Sequence, residues 1–167
     1  MQRLGGHATG LTHRIGGLEK DSVTGNVNYD PENHQLMVDT RAAKVMGIQD
    51  SIPTPEVNGP DSGDLLVVAW GSPYGAARAS VERMQREGVA VGHMHLRHLW
   101  PLPKGLPEIF ARYKRIIVPE LNMGQLARML TSEYPQFKFE TYNKVQGKPF
   151  QAIELKAHFE SILEEKS

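Results

Sequence analysis

The chain has 167 residues, 40% hydrophobic and 23% charged, a composition typical of one globular domain with an additional arm. Nineteen Lys and Arg balance nineteen Asp and Glu, which argues against a nucleic-acid binder that depends on a basic surface. There is no cysteine, no signal-peptide core and no apolar run near the roughly 20 residues of a membrane span, so we expect a cytoplasmic protein without membrane or nucleic-acid partners.

The sequence pattern of residues 1–63 predicts an arm, a helix and a linker. Residues 1–29 contain six glycines and little apolar periodicity. A helix is expected from Pro31, with Asp30 as its N-cap and Gly47 as its stop. Its apolar face would consist of Leu36, Met37, Val38, Ala42, Ala43, Val45 and Met46. Residues 50–63 carry three prolines and two glycines, as linkers do.

Strands and helices alternate in the remaining sequence. We therefore expect two parts, residues 1–63 with the arm, helix and linker, and residues 64–167 with an α/β domain. Strands are predicted at 65–70, 89–99, 115–120 and 137–142, and helices at 76–87, 106–113, 124–133 and 151–165. This order indicates a mainly parallel sheet with helices on both faces. Functional loops of such sheets lie at the carboxyl ends of the strands, here 71–75, 99–103 and 120–125.

The turn after the first predicted strand reads GSPYG at residues 71–75. A dinucleotide fingerprint needs G-x-G-x-x-G, and this turn lacks the central glycine, while Pro73 removes an N–H donor. A nucleophile elbow, G-x-S-x-G, would need its serine one position later than Ser72. The local pattern favours a tight turn in which Ser72 caps the next helix.

Three histidines follow in the next predicted strand, His93, His95 and His98. Strand alternation places His93 and His95 on one face, where two imidazoles are able to bind a metal. No nearby carboxylate or cysteine completes such a site. Half-buried histidines near a subunit boundary are the favoured interpretation, and no metal site is predicted.

The segment 120–125 puts Glu120, Asn122 and Gln125 between the end of a strand and the start of a helix. A carboxylate and two amides at this position are able to bind a ligand or a neighbouring domain. They serve equally well to cap the helix and satisfy the turn, so both interpretations stay open.

Five segments in order resemble the alpha subunit of the 2-oxoacid:ferredoxin (acceptor) oxidoreductases, particularly of the 2-oxoglutarate type. They cover most of the chain from residue 13 onward. They are HRIGGLEKDSVTGNVNYDPENHQLMVDTRAAKV (13–45), LLVVAWGSPYGAARASVERMQREG (65–88), HLRHLWPLP (95–103), VPELNMGQLARML (118–130) and KVQGKPF (144–150).

The resemblance is to the carboxyl-terminal part of that subunit, a domain like the carboxyl-terminal domain of transketolases. It implies a three-layer α/β/α sandwich on a five-stranded mixed sheet with one antiparallel strand. Family members use thiamine diphosphate, magnesium and an iron–sulfur cluster to oxidise a 2-oxoacid, form an acyl-CoA and reduce ferredoxin. The thiamine-activating carboxylate belongs to a domain that this chain lacks, so the resemblance assigns it no catalytic, cofactor-binding or metal-binding residue.

By the same resemblance, the chain is a structural and interface domain without activity of its own. Its partners would be the rest of the alpha subunit, the beta subunit and, through the assembled oligomer, ferredoxin. The alternatives are a freestanding small-molecule or nucleotide-binding α/β domain and a purely structural oligomerisation domain. The candidate interface or loop-site residues are Gly71, Ser72, Tyr74, Arg97, Glu120, Asn122, Gly124 and Gln125.

Overall fold

The structure, a computed structural model, describes residues 16–164, and the part of the predicted arm before Gly16 lies outside them. The chain divides into two compact units, Met1–Gly47 and Ile48–Ser167. Among the described residues, no helix combines the length and the apolar character needed to cross a membrane.

The first unit contains a short turn and one helix. Lys20 and Val27 form an antiparallel bridge around that turn. Helix α1 spans Pro31–Met46, as predicted, and the Asp30 carboxylate accepts hydrogen bonds from two backbone N–H groups of its first turn. The apolar side chains of α1 are exposed rather than packed into a core, namely Leu36, Val38, Val45 and Met46.

The second unit contains the sheet and its helices. Its strands are β1 (Val57–Asn58), β2 (Gly63–Trp70), β3 (Val91–Leu96), β4 (Tyr113–Glu120) and β5 (Phe139–Asn143). Its helices are α2 (Tyr74–Arg86), α3 (Leu106–Phe110), α4 (Gln125–Glu133) and α5 (Ala152–Glu164), and a 3₁₀ turn covers Gln49–Ser51.

The sheet is five-stranded and mixed, in the order β1-β3-β2-β4-β5. The pairs β2–β3, β2–β4 and β4–β5 are parallel, and β1 pairs with β3 in the antiparallel direction. Helices α3 and α4 pack against one face and α2 and α5 against the other. This arrangement confirms the predicted three-layer α/β/α sandwich.

The central strand β2 explains why the sequence shows a continuous apolar run. Leu65, Val67 and Ala69 belong to the core beneath α2 and α5, whereas Leu66 and Val68 belong to the core beneath α3 and α4. All five are fully buried. A strand covered on both faces has no polar side to alternate with.

The antiparallel strand β1 lies within the Pro/Gly-rich segment that the sequence pattern assigned to a linker. Val57 is opposite Met94, and Asn58 is opposite His93. A strand of two residues is too short to show a period-2 pattern. The sequence pattern therefore predicted four strands, and the fifth was expected only from the family resemblance.

Two element boundaries differ from prediction for reasons visible in the backbone. The predicted strand from Val89 begins only at Val91, because the Val89 N–H is bound to the Met84 carbonyl at the end of α2. The predicted helix 106–113 ends at Phe110, because Tyr113 already pairs with Gly63 in the sheet.

The prediction that Ser72 caps the following helix is wrong. Within the described residues, Pro73 occupies the N-cap position of α2, and no side chain caps this helix end. The chain turns at Gly71, whose φ of 61° lies in the left-handed region that glycine adopts without strain. The turn is therefore tight, as expected, and Ser72 is exposed on it.

Candidate functional site

The carboxyl ends of β2, β3 and β4 lie at one edge of the sheet, because these strands are parallel. The eight candidate residues lie in the loops that follow these strands or directly beside them, since Glu120 ends β4 while Tyr74 and Gln125 begin α2 and α4. The structure sorts these residues into two places. One surrounds Glu120 and is called the Glu120 cluster, and the other surrounds His93 and His95 and is called the histidine pocket.

Glu120 is the last residue of β4, and its carboxylate is fully buried. Two of its donors are backbone N–H groups at the start of α4, Leu126 at 2.9 Å and Ala127 at 3.0 Å. The other two are side chains, the Trp70 indole N–H at 3.2 Å and the Asn122 amide at 2.9 Å. The carboxylate thus replaces the hydrogen-bond partners missing at a helix N-terminus and complements its dipole.

Asn122 completes this cap. Its Oδ1 accepts from the backbone N–H of Gly124 at 2.8 Å and of Gln125 at 2.9 Å. Together Glu120 and Asn122 satisfy four consecutive N–H groups, from Gly124 to Ala127. These are the contacts of the capping alternative. A contact between this loop and a partner stays a prediction.

The Glu120 cluster borders an open depression of about 290 Å³ between the loops after β2 and β4. The structure brings Gly71 and Ser72 together with Asn122 and Gln125 here. Their side chains or backbones are exposed or half-buried, which suits a surface that another chain contacts.

The histidine pocket lies between α2, β3, β1 and the loop after β3, and has a volume of about 520 Å³. Tyr74 and Arg97 line it, away from the other candidates, together with His93, His95 and His98. The ring of Tyr74 lies edge-on to that of His95, with centroids 4.8 Å apart, and 5.8 Å from that of His93. The two imidazole centroids are 6.0 Å apart.

The imidazoles of His93 and His95 favour the neutral form, because their pKa values are lowered. Burial, together with the nearby His95 and Arg78, lowers the pKa of His93 to about 4. Burial also lowers the pKa of His95, and the charge of Arg97 acts in the same direction. The predicted half-buried histidines are thus one buried residue, His93, one half-buried residue, His95, and one exposed residue, His98.

Two residues of the histidine pocket, Arg78 and Asn58, were not among the candidates predicted from the sequence. Arg78 follows Tyr74 by one helical turn, and its Nη1 donates to the Tyr74 hydroxyl at 3.0 Å while its Nε donates to Glu82 at 2.8 Å. The i, i+4 spacing was the available signal. Asn58 reaches the pocket from β1, and nothing in a linker-like sequence indicated that.

Two large apolar side chains stand exposed in the loops at this edge of the sheet. Trp100, after β3, is 61% exposed, and Met123, after β4, is 64% exposed. Aromatic and methionine side chains are enriched in protein interfaces. Their exposure at the edge that carries the Glu120 cluster favours a protein contact there.

Comparison with known proteins identifies the chain. Residues 63–155, more than half of the sequence, match the family described as pyruvate:ferredoxin oxidoreductase core domain II. The chain belongs to this family. Residues 63–155 run from the first residue of β2 into α5, so they take in the central strands, the Glu120 cluster and most of the histidine pocket.

Relatives of this oxidoreductase family agree on the type of subunit. The chain is 44% identical over 147 residues to the 2-oxoglutarate oxidoreductase subunit KorA of Mycobacterium tuberculosis, which covers 87% of this chain and 22% of the relative. It is 33% identical to the alpha subunit of 2-oxoacid:ferredoxin oxidoreductase 1 of Aeropyrum pernix, over 83% of this chain and 23% of the relative. The chain thus spans less than a quarter of either relative. The resemblance read from the sequence is confirmed.

Solved structures of oxidoreductases and transketolases support the fold. The 2-oxoglutarate:ferredoxin oxidoreductase from Magnetococcus marinus, solved with 2-oxoglutarate, coenzyme A and succinyl-CoA bound, matches 94% of this chain and 28% of its own. The TM-score is 0.81 at 31% identity. A split-gene transketolase matches with a TM-score of 0.51 at 20% identity, which shows the shared fold alone.

The family's cofactors can be tested against the residues present. Without cysteine, these 167 residues do not hold an iron–sulfur cluster by thiolates. Within residues 16–164, no three His, Cys, Asp or Glu side chains converge to hold a metal ion. Glu120, the buried carboxylate at the sheet edge, has its oxygens bound to donors of its own domain. The described residues do not fit thiamine diphosphate with its magnesium.

Proposed function

We propose that the chain acts as the carboxyl-terminal core domain of the alpha subunit of a cytoplasmic 2-oxoglutarate:ferredoxin oxidoreductase. The complete enzyme would use thiamine diphosphate, magnesium and an iron–sulfur cluster to convert 2-oxoglutarate and coenzyme A into an acyl-CoA while reducing ferredoxin. The observation that carries the proposal is the match, in sequence and in shape, to alpha subunits named for 2-oxoglutarate. The chain spans only 22% of the first of them.

The chain's own part in this enzyme is to form interfaces. The Glu120 cluster is compatible with this role, because the carboxylate of Glu120, the buried acid among residues 16–164, caps a helix of its own domain. Trp100 and Met123 are exposed in loops at the same edge of the sheet, and apolar side chains of α1 are exposed as well. A domain that leaves such side chains in water is suited to bind the rest of the alpha subunit and the beta subunit in an oligomer.

Reconstitution tests both statements. The chain is co-expressed with the remaining part of the alpha subunit and with the beta subunit, and 2-oxoglutarate-dependent, coenzyme A-dependent ferredoxin reduction is measured. We expect activity from the assembly and none from the chain alone. Assembly without 2-oxoglutarate oxidation, but with oxidation of another 2-oxoacid, would refute the substrate assignment and leave the family assignment intact.

The interface role is tested with surface variants. Trp100→Ala with Met123→Ser should weaken assembly at least tenfold in a pull-down titration without changing the melting temperature of the isolated chain, because both side chains are exposed. Arg112→Ala is the control, since Arg112 is exposed at the opposite, amino-terminal edge where β4 begins. Equal assembly of the double variant and the control would refute an interface at the carboxyl edge.

A further inference from the structure

The histidine pocket contains three polar atoms without hydrogen-bond partners. Among the described residues, the buried side-chain nitrogen and oxygen atoms that lack a partner are Asn58 Oδ1, His93 Nε2 and His95 Nδ1. All three residues line this one pocket. Buried polar groups are nearly always paired in folded proteins, so three orphan atoms in a single cavity indicate that the pocket normally receives a polar ligand.

The three side chains are directed to the same side of the sheet. His93 and His95 are two residues apart on β3 and so share a face. Asn58 is directly opposite His93 in the antiparallel β1–β3 pair, and residues opposite each other also share a face. His93, only 2% exposed, forms the floor of the pocket. Each neutral imidazole offers one N–H donor and one acceptor to a ligand.

The charges around the pocket favour an anion over a metal cation. Arg78 and Arg97 line the pocket, and both reduce the tendency of the neighbouring imidazoles to take up a proton. The same positive field opposes a divalent cation and attracts an anion. Arg97 is exposed beside His95, and its guanidinium carries donors in the fork arrangement that matches carboxylate or phosphate oxygens.

The size of the pocket indicates a small molecule rather than a lone ion. Its volume of about 520 Å³ lies within the range of small-molecule sites, about 300–1,000 Å³. Its lining is mixed, because Pro53, Pro55, Val57 and Pro103 supply apolar surface while Thr54 and Glu56 of the same segment are polar. A small ligand with one anionic group and an uncharged remainder is compatible with this mixed lining, since a second anionic group would meet Glu56.

We propose that the histidine pocket binds a small molecule through a carboxylate or phosphoryl group that contacts His93, His95 and Arg97. Tyr74 is 40% exposed and lies against both imidazoles, so the ligand reaches their nitrogens when this ring turns outward. The Tyr74 hydroxyl accepts from Arg78, which places that guanidinium at the same entrance. The proposal does not depend on the enzyme assignment above.

Binding should be coupled to proton uptake. An anion beside His93 and His95 offsets the positive charge of the arginines and raises the pKa of both imidazoles, so affinity rises as the pH falls toward 6. The titratable and charged groups that face the two rings are Tyr74, Arg78 and Glu82 from α2, Glu56 from the segment before β1, and Arg97 and His98 after β3.

The test follows the imidazole signals of the full 167-residue chain by NMR during titration with inorganic phosphate and, separately, with acetate, at constant ionic strength. We expect saturable shifts of His93 and His95 with dissociation constants in the millimolar range, and a rise of both pKa values in the bound state. Tighter binding of phosphate would indicate a phosphoryl ligand, and tighter binding of acetate a carboxylate ligand.

Two variants make the result specific. Arg97→Gln should weaken binding about tenfold, the loss expected for one charge-assisted contact. Arg86→Gln should change it less than twofold, because Arg86 is an exposed arginine of α2 outside the pocket. Both positions are exposed, so the backbone spectra should otherwise match that of the parent chain.

Three outcomes would overturn the proposal. The first is the absence of saturable imidazole shifts with either ion at about 50 mM, well above the millimolar affinity of a weak specific site. The second is equal affinity of the Arg97→Gln and Arg86→Gln variants. The third is a response of both imidazoles to Zn²⁺ together with none to the anions, which would make the pocket a metal site.

Discussion

Removing the Glu120 carboxylate should strongly destabilise the second unit, because it leaves buried hydrogen-bond donors without a partner. Glu120→Ala deletes the acceptor of four hydrogen bonds while the residues that carry two of the donors, Leu126 and Ala127, remain buried. The Trp70 indole and the Asn122 amide belong to half-buried residues and are able to turn toward water. The two backbone N–H groups therefore account for most of the penalty.

The magnitude follows from these contacts. An unsatisfied buried donor costs about 1–3 kcal/mol, so the two backbone groups together cost about 3 kcal/mol. Removing the buried charge also removes the cost of burying it, which offsets part of this penalty. The cavity that the shorter side chain leaves adds to the penalty. We expect a loss of about 3 kcal/mol in the free energy of unfolding for Glu120→Ala. Glu120→Gln keeps one acceptor oxygen but points an amide at donors, and should lose about 2 kcal/mol.

Urea unfolding monitored by tryptophan fluorescence measures this loss. Trp70 donates to Glu120, and a Trp100→Phe background leaves Trp70 as the sole tryptophan. With an m-value of about 2 kcal/mol/M, Glu120→Ala should lower the midpoint by about 1.5 M. The exposed neighbour Gln125→Ala is the control and should lose less than about 0.5 kcal/mol. A loss below about 1 kcal/mol for Glu120→Ala would refute the capping role.

Three further predictions concern other parts of the second unit. Because burial lowers the pKa of His93 from 6.5 to about 4, the unfolded chain binds more protons between these values, and stability should fall by up to about 3 kcal/mol as pH drops from 6.5 to 4. Urea midpoints against pH should show this slope in His98→Gln and lose it in His93→Gln. Arg115→Lys breaks two parallel 2.7 Å bonds to Glu140 that join β4 to β5, and should lower the melting temperature by about 4 °C in calorimetry, with no change counting against the pair. Gly92→Ala places a Cβ 2.5 Å from the Tyr113 hydroxyl and 2.8 Å from Cγ1 of Val57 in β1. It should lower the free energy of unfolding by about 2 kcal/mol in urea titrations. An unchanged free energy would mean that β1 detaches readily from β3.

The alternation of strands and helices was predictable because each element of the second unit has a strong local signal. The run Leu65–Trp70 reads as a doubly covered strand, and it is one. The Asp30–Pro31 pair marks a helix start, and the helix begins there. The boundary predicted at Val89 was wrong because the Val89 N–H binds the Met84 carbonyl in a local turn around Gly88 that ends α2, so the strand starts only after this turn.

The candidate site was predictable in kind but not in arrangement. The rule that loops at carboxyl strand ends carry polar groups selected Glu120, Asn122 and Tyr74. It did not separate Tyr74 from the others, because the side on which a side chain leaves a helix depends on how the helix packs. Asn58 was not predicted, because it reaches the histidine pocket only by pairing with His93, 35 residues later in the chain. Ser72 was predicted to cap α2, but Pro73 occupies the N-cap position.

The short strand β1 lies at one edge of the sheet and limits how that edge pairs with other molecules. An open edge of a sheet recruits strands from other molecules and so starts aggregation. Here the outer edge of β3 is met by only two residues of β1, and Pro53, Pro55 and Pro60 flank them. Prolines lack the N–H group that a longer ladder would need. The proline-rich segment around β1 thus covers part of the β3 edge and makes that edge a poor template for strands of other molecules.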